Sequence, residues 1–378
     1  MKYYIIAGEA SGDLLGSHLI QEIKKLDTHA DFCCWGGDLM EAAGGQINKH
    51  YKDLAFMGFW EVATHLRTVL KNLQICKVEI LLYEPDVIIL IDYPGFNLRI
   101  AEFAKENNIR VVYYVSPQIW AWKKKRIHKI IKCVDTLLTI LPFEKAIYAK
   151  YGYNAHYIGH PLLDIITPEI QNITATEEFR KTYQLTNRPI IAILPGSRTQ
   201  EIKRILPEMA KVIKQFPDYQ FIISKVKWLP QSLYNQYLKG ISAPLIEGNT
   251  YEILKNSEAA LVASGTATLE TAILNIPQVV CYRTSTLSYA IARLLVGKNI
   301  QFISLVNLIA NRQIVKELLQ SDCNNKTISH ELQLLLQHTE TKKKILTDYE
   351  ELRQILGHSG ASRKAAELIV NSSSQTID

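Results

Sequence analysis

The chain has 378 residues, of which 47% are hydrophobic and 21% are charged. This balance is typical of a globular protein and excludes a disordered chain, a collagen-like fibre and a disulfide scaffold. The 43 Lys and Arg against 37 Asp and Glu give a formal net charge of +6. That basic excess is too small by itself to indicate nucleic acid as the partner.

Hydropathy, cysteine spacing and the N-terminal stretch further restrict the class of protein. The mean hydropathy is -0.02, and no uninterrupted apolar run approaches the ~20 residues that a spanning helix needs, which excludes a multi-span membrane protein. The six cysteines show no C-x-x-C pair, and the N-terminal stretch lacks the pattern of a signal peptide. We therefore predict a cytoplasmic protein, and the length predicts two domains.

The first half of the chain alternates short β-rich runs with helical patterns. Strands that are apolar throughout and separated by helices indicate a parallel sheet covered on both faces. The predicted elements are strand 3–7, helix 14–26, strand 87–91, helix 98–105, strand 111–115 and strand 136–140.

The second half repeats this design. Its predicted elements are strand 190–194, helix 202–216, strand 221–224, strand 259–263, helix 268–274 and strand 278–282. We predict an α/β fold of two doubly wound, Rossmann-like domains that face a cleft, with ligands at the carboxyl ends of the strands. The predicted bounds are residues 1–165 and 166–345, followed by a C-terminal helical tail over 346–378.

A glycine-containing loop from Gly8 to Asp13 follows the first strand. Glycines let the backbone approach a ligand closely, and the helix behind supplies free N–H groups. The pattern is not G-x-G-x-x-G, so NAD binding is disfavoured. A turn in which Ser11 or Asp13 caps the helix is the alternative, and the spacing does not separate the two interpretations.

Asp92 ends the apolar strand 87–91 and precedes Pro94 and Gly95. This position predicts a carboxylate at the mouth of the cleft in a partly desolvated setting, which suits a general base. A structural aspartate that caps the Pro-Gly turn is the alternative, and the position alone leaves both open.

Two more loops of this kind follow strands in the second half. The loop 195–198 can place the Arg198 guanidinium against a diphosphate, or Arg198 can pair with Glu201 on the surface. Small residues in the loop 264–267 leave room for a phosphate at a helix start, and Glu270 could accept hydrogen bonds from ribose hydroxyls. The chain has no P-loop, H-E-x-x-H or nucleophile elbow, and we expect neither a cofactor nor a metal.

A basic, aromatic stretch occupies residues 116–132, and no acidic residue occurs between Glu106 and Asp135. Such a stretch can adhere to anionic lipid, with tryptophans at the headgroup boundary. A second apolar run, 56–60, continues into the helical pattern 62–82. The expected lipid contacts are Phe59, Trp60, Trp120, Trp122, Lys123, Lys124, Lys125 and Arg126. Core packing of the tryptophans and a solvated lysine face are the alternatives, and no nucleic-acid module accompanies the patch.

Together these segments resemble lipid-A-disaccharide synthase, a family of inverting glycosyltransferases with the two-domain GT-B architecture. The likeness covers about residues 1–320 in the family's order, and Val306 and Asn311 depart from it where many relatives have Pro and Gly. The matching segments are 7–13, 57–58 with Glu61, 91–97, 114–117, 120–122, 141–144, 158–161, 194–198, 263–267 with Glu270, and 307–310.

The resemblance implies a specific reaction. The donor is UDP-2,3-diacylglucosamine, the acceptor is 2,3-diacylglucosamine 1-phosphate, and the products are the β-1,6-linked lipid A disaccharide 1-phosphate and UDP. Asp92 would take the proton of the acceptor's 6-hydroxyl, and Glu9, Ser11 and Gly12 would lie on the acceptor side. The residues implied on the UDP side are Gly196, Ser197, Arg198, Gly265, Thr266, Glu270 and Asn307.

Two other functions compete with this one. Another two-domain UDP-sugar enzyme, such as an N-acetylglucosaminyl transferase or a UDP-sugar epimerase, would share the loops but would not need an acyl-accepting surface. A non-catalytic module would bind UDP or anionic vesicles without forming a disaccharide. The preferred hypothesis places the protein on the inner face of the cytoplasmic membrane, and a homodimer is compatible with it.

Overall fold

The protein is described here by a computed structural model, which covers residues 1–53, 66–117, 126–167, 170, 177–285, 289 and 301–371. The chain divides into two compact units, one of Met1–Asp164 with Leu356–Asp378 and one of Ile165–Ile355. Each unit contains one sheet whose paired strands are all parallel, with helices between the strands. The predicted α/β class is therefore confirmed.

The first unit contains a seven-stranded sheet in the order β3-β2-β1-β4-β5-β6-β7. Its strands are β1 (Lys2–Ala7), β2 (Asp31–Gly36), β3 (Gln46–His50), β4 (Val87–Ile91), β5 (Arg110–Tyr114), β6 (Thr136–Thr139) and β7 (His156–Tyr157). Chain order reverses at the β1–β4 pair, which puts the carboxyl ends of these two strands side by side. Ligand sites in doubly wound sheets occur at this kind of switch point.

Helices cover both faces of this sheet. They are α1 (Ala10–Leu26), α2 (Asp38–Ala42), α3 (Leu66–Tyr83), α4 (Pro94–Glu106), α5 (Arg126–Cys133), α6 (Glu144–Ala149) and α7 (Leu162–Ile165). Successive residues of β4 point into different cores, since Leu90 packs with Trp35 and Phe96 whereas Ile89 packs with Leu19. A strand buried on both faces explains why β4 is apolar throughout.

The second unit contains a six-stranded sheet in the order β10-β9-β8-β11-β12-β13. Its strands are β8 (Ile190–Leu194), β9 (Gln220–Lys225), β10 (Leu245–Glu247), β11 (Ser257–Ala263), β12 (Gln278–Tyr282) and β13 (Lys316–Leu319). Here the switch point lies between β8 and β11, which pair directly. The two sheets thus share one design.

The remaining helices are α8 (Glu177–Thr182), α9 (Thr199–Ile213), α10 (Gln231–Asn235), α11 (Thr250–Lys255), α12 (Thr266–Ile273), α13 (Leu305–Ala310), α14 (Asn325–Gln337), α15 (Thr339–Leu356) and α16 (Ala361–Asn371). Residues 346–378, set apart as a tail in the sequence, divide between the units. Most of α15 belongs to the second unit, whereas α16 packs on α1 and buries Ala365 and Ile369 in the core of the first.

Candidate active site

In the first unit, the loops that follow β1 and β4 lie next to each other. Ala7 is the register partner of Ile91, so Gly8 and Asp92 are the first residues beyond the paired ends. The Tyr93 ring covers Gly8 closely, because a Cβ atom added at Gly8 would lie 2.5 Å from Cγ of Tyr93. A glycine is required at this point, and it brings the two loops into contact.

The predicted acceptor-side residues lie where α1 begins. Glu9 is the N-cap of α1 and is half-buried, Ser11 is exposed in the first turn, and Gly12 is buried next to Ala7 and Ile91. Because the helix already starts at Ala10, neither Ser11 nor Asp13 is its cap, and that alternative is wrong.

Asp13 instead stabilises another helix. Its buried carboxylate accepts hydrogen bonds from the N–H groups of Gly37 at 2.8 Å, Leu39 at 3.1 Å and Met40 at 3.1 Å. These donors lie at the start of α2, where helix N–H groups lack intrahelical acceptors. Asp13 is therefore a structural residue that joins α1 to α2.

Asp92 has an exposed side chain, whereas the sequence predicts a partly desolvated carboxylate. The correction follows from the backbone, because Asp92 and Tyr93 both adopt left-handed φ values, 45° and 46°. The main-chain carbonyl of Asp92 accepts hydrogen bonds from the Tyr113 hydroxyl at 2.6 Å and from Asn97 Nδ2 at 2.8 Å. The carboxylate thus projects from a turn whose main chain is held tightly.

Arg126, at the start of α5, lies within electrostatic reach of Asp92. Burial lowers the pKa of Arg126, and the nearby negative charge of Asp92 opposes that effect. Burial likewise raises the pKa of Tyr113, and the charge of Asp92 raises it further. The sequence groups Arg126 with the lipid contacts, whereas the structure half-buries it beside the candidate base.

The other predicted lipid contacts, Phe59, Trp60, Trp120, Trp122, Lys123, Lys124 and Lys125, lie outside the described residues. The described part of the second apolar segment is α3. It exposes four large apolar side chains to solvent, those of Leu70, Val78, Leu81 and Leu82. Leu82 is 81% exposed, so this helix carries apolar surface that the core of the first unit does not cover.

In the second unit, the loop after β8 is shaped by Glu201. The Glu201 carboxylate accepts hydrogen bonds from the N–H groups of Ser197 at 2.9 Å and Arg198 at 3.3 Å. Gly196 has a left-handed φ of 114°, and a Cβ atom there would lie 2.4 Å from Glu201 Oε2. Trp228, after β9, donates its indole N–H to the Ser197 carbonyl at 3.0 Å.

Arg198 is the N-cap of α9, and its guanidinium lies 3.9 Å from Glu201 Oε1. The surface pair that the sequence offers as an alternative therefore exists. A pair of this kind between exposed groups contributes only about 0–1 kcal/mol.

The loop after β11 lies next to this one, because Val262 is the register partner of Leu194. Gly265 and Thr266 are exposed at the start of α12, where the first N–H groups of a helix favour an anion. Glu270 lies one turn further on and its Oε1 is 3.3 Å from the Tyr251 hydroxyl. Burial raises the pKa of Glu270 to about 7, and the Tyr251 hydrogen bond opposes the rise.

Asn307 is placed differently from the other predicted UDP-side residues. Its side chain is fully buried in α13. Its Oδ1 accepts from the N–H groups of Ile314 and Val315, and its Nδ2 donates to the Val315 carbonyl and to Glu317 Oε1. These four bonds use the full capacity of an amide side chain, so Asn307 shapes its loop and leaves no polar atom for a diphosphate.

The two departures from the family pattern fit this loop. Val306 is fully buried, and Asn311 ends α13 with a left-handed φ of 52°. Asparagine tolerates that conformation better than other residues with a Cβ atom. It can therefore adopt here the left-handed conformation that otherwise favours glycine.

Three residues of the candidate site carry no clear signal in the sequence. Tyr113 reads only as one more apolar strand position, and Tyr251 and Trp228 fall outside every motif. Asn97 stands inside a matched segment but has no predicted role. Among the described residues, no group of three or more His, Cys, Asp or Glu is placed to hold a metal ion. None of the described helices is long and apolar enough to cross a membrane.

Comparison with known structures defines the class of fold. UDP-GlcNAc 2-epimerase from Neisseria meningitidis, solved with UDP-GlcNAc, superposes with a TM-score of 0.70 at 14% identity, covering 98% of this chain and 100% of that one. The glycotransferase of kitacinnamycin superposes with a TM-score of 0.63 at 11% identity, covering 98% of each chain. The fold is thus the GT-B fold that glycosyltransferases and UDP-sugar epimerases share.

Comparison of sequences is more specific. The family model for lipid-A-disaccharide synthetase matches residues 3–371. The lipid-A-disaccharide synthase of Syntrophus aciditrophicus is 38% identical over 370 residues, which cover 96% of this chain and 95% of the relative. The chain belongs to the lipid-A-disaccharide synthase family.

Proposed function

We propose that the protein transfers the sugar of UDP-2,3-diacylglucosamine to the 6-hydroxyl of 2,3-diacylglucosamine 1-phosphate. The products are the β-1,6-linked disaccharide 1-phosphate and UDP. Family membership over nearly the whole chain carries this proposal. The placement of Asp92 and of the α12 N-terminus at the switch points of their sheets supports it.

Asp92 acts as the general base in this scheme. Its carboxylate is exposed at the carboxyl edge of β4, where a hydroxyl can reach it, while its main chain is held by Tyr113 and Asn97. It accepts the proton of the acceptor's 6-hydroxyl as that oxygen attacks the anomeric carbon. Arg126 lies within electrostatic reach of this carboxylate, and a cation at this edge suits an acceptor that carries a phosphate.

The second unit binds the donor. The N–H groups at Gly265 and Thr266 and the guanidinium of Arg198 meet the diphosphate, and Glu270 accepts hydrogen bonds from the ribose hydroxyls. As the new bond to the anomeric carbon forms, the bond from that carbon to the β-phosphate oxygen breaks. The negative charge that develops on UDP is offset by these groups.

A single displacement of this kind inverts the configuration at the anomeric carbon, which yields the β linkage from an α-linked donor. We further propose that transfer needs no divalent metal, because a guanidinium and a helix N-terminus can together offset the charge of the leaving diphosphate. Turnover should therefore persist in EDTA, and strong inhibition that added Mg²⁺ reverses would contradict this part of the scheme.

The acylated substrates require access to lipid, and we propose that the first unit docks on an anionic membrane surface. The exposed apolar residues of α3 support this proposal. The basic stretch 116–132 supports it from sequence. Binding to vesicles of phosphatidylglycerol and phosphatidylcholine that weakens as salt rises is the expected result, and equal binding to vesicles of phosphatidylcholine alone would contradict it.

The decisive assay incubates the protein with both acylated sugars and measures the disaccharide and UDP in parallel. We expect the two products in equal amounts, and no epimerisation of unacylated UDP-GlcNAc. Asp92→Ala should lower the formation of both products by about 10²–10⁴-fold, whereas Asp218→Asn, a change at an exposed turn before β9, should not. Epimerisation without disaccharide would favour the epimerase alternative, and UDP binding without either product would favour a non-catalytic module.

A further inference from the structure

The turn that carries Asp92 is strained. Asp92 and the next residue, Tyr93, both have positive φ values, 45° and 46°. Most residues with a Cβ atom avoid this region, Tyr93 more strongly than Asp92, and strained conformations persist only where the surrounding structure holds them. The contacts that hold this turn therefore determine where the Asp92 carboxylate lies.

Two side chains converge on the carbonyl oxygen of Asp92. The Tyr113 hydroxyl donates at 2.6 Å and Asn97 Nδ2 donates at 2.8 Å. Asn97 Nδ2 also lies 3.2 Å from the Ile91 carbonyl. A carbonyl oxygen has two lone pairs, so these two donors use its full accepting capacity.

The neighbouring groups of the turn are fixed as well. The N–H of Asp92 donates to the Tyr114 carbonyl at 3.1 Å, which continues the β4–β5 ladder by one bond. The Tyr93 ring lies against Gly8 and stacks on Phe96 with ring centroids 5.5 Å apart. The main chain of the turn is thus held on every side, while the Asp92 carboxylate is exposed.

We propose that Tyr113 and Asn97 are positioning residues for the transfer reaction. By holding the Asp92 carbonyl, they keep the turn left-handed and aim the carboxylate at the acceptor hydroxyl. Both side chains are fully buried, so neither can touch the substrate itself. This inference rests on the proposed role of Asp92 as the base.

The structure supplies a matched control for Tyr113. Tyr153 donates its hydroxyl to the main-chain carbonyl of Val134 at 2.7 Å, in the same unit and away from Asp92. Tyr113→Phe and Tyr153→Phe therefore remove the same atom and the same kind of bond. They differ in whether the carbonyl belongs to the candidate base.

The test measures kcat, the KM of each substrate, and UDP affinity for both variants. We expect Tyr113→Phe to lower kcat between about tenfold and a hundredfold, since a small misplacement of a reacting group has effects of this size. UDP affinity and donor KM should not change. Tyr153→Phe should leave kcat within about twofold, and the thermal midpoints of the two variants should fall by similar amounts.

A double-mutant comparison separates positioning from general damage. In an Asp92→Ala background, Tyr113→Phe should not slow the residual reaction further, because there is no carboxylate left to aim. Asn97→Ala removes the other donor to the same carbonyl and replaces Tyr113→Phe in this test if that variant does not fold. It too should lower kcat only when Asp92 is present.

The outcomes distinguish this inference from the proposed function. If Asp92→Ala keeps near-normal turnover, the role of Asp92 itself is wrong. If Asp92→Ala is inactive but Tyr113→Phe behaves like Tyr153→Phe, the base stands and the positioning role is overturned. A loss of kcat that persists unchanged in the Asp92→Ala background would also overturn it.

Discussion

The loops after β4 and β11 occupy corresponding places in the two units, yet they are built in opposite ways. After β4, two strained residues precede a helix that starts with Pro94, which has no N–H to offer. After β11, Gly265 is the N-cap of α12 and Thr266 is its first residue. The first N–H groups of this helix can face an anion. The loop after β4 therefore presents a carboxylate, and the loop after β11 presents N–H hydrogen-bond donors.

The difference supports the proposed division of catalysis and donor binding between the two units. The N–H groups of Phe96 and Asn97 in α4 already donate to the Tyr93 carbonyl, at 3.1 Å and 3.0 Å, so they stabilise the turn that carries Asp92. The small residues at the start of α12 leave space for a ligand. We infer that the first unit carries out the chemistry and the second holds the diphosphate.

Of the substitutions that test this difference, replacing Asp92 should have the largest effect on activity. Asp92→Ala removes the proposed base and should lower kcat by about 10²–10⁴-fold, the usual contribution of general base catalysis. UDP affinity should not change, because the proposed donor site lies in the other unit. Steady-state kinetics together with calorimetric titration of UDP check both statements, and a folded variant with near-normal kcat would remove Asp92 from the mechanism.

Replacing Arg198 should act on the donor side alone. Arg198→Ala removes a charged hydrogen-bond donor worth about 1.5–3 kcal/mol, so we expect UDP to bind about ten- to a hundredfold more weakly. Lys214→Ala removes an exposed cation just beyond α9 and serves as the control. Equal UDP affinity in the two variants would contradict the assignment of Arg198 to the diphosphate.

Two glycines near Asp92 allow a test of how tightly its turn is packed. A Cβ atom at Gly8 would overlap the Tyr93 ring, whereas one at Gly95 meets nothing within 4 Å. Gly8→Ala should therefore displace the ring and lower kcat about tenfold or more through misplacement of Asp92. Gly95→Ala should preserve activity, and loss of activity in Gly95→Ala alone would show that this account of the turn is wrong.

The smallest expected effect is a pH dependence of UDP binding. Glu270 has a pKa raised by burial to about 7, so below that pH it is largely neutral and above it the carboxylate can accept from both ribose hydroxyls. UDP affinity should increase several-fold from pH 6 to pH 8, because a charged acceptor forms the stronger hydrogen bonds. In Glu270→Gln this increase should disappear, and a slope that survives the substitution would have to come from another group.

Much of the fold could be predicted because buried parallel strands are apolar throughout. The strands 87–91, 190–194 and 278–282 are confirmed with the predicted bounds. Helix starts were harder to predict, since α1, α4 and α9 begin three or four residues before their predicted first residues. Their first turns contain glycine, proline or polar residues, which lack the apolar periodicity on which the predictions depend.

The candidate site could be predicted only as a set of loops. Adjacency of strand ends follows from topology, so the sequence could point to Asp92 and Arg198 but not to their surroundings. Asn307 matches the family's pattern, yet its amide is fully bonded inside the protein. Arg126 belongs to a basic run, yet its side chain lies near Asp92. Side-chain direction at the end of an element is a tertiary property that spacing does not encode.

The division of labour between the two units is tested most directly by measuring kcat and UDP affinity for Asp92→Asn and Arg198→Ala side by side. The account predicts that Asp92→Asn loses disaccharide formation and binds UDP as tightly as the unaltered protein, whereas Arg198→Ala binds UDP at least about tenfold more weakly. If Asp92→Asn weakened UDP binding as much as Arg198→Ala, or still formed disaccharide at a near-normal rate, the account would be contradicted.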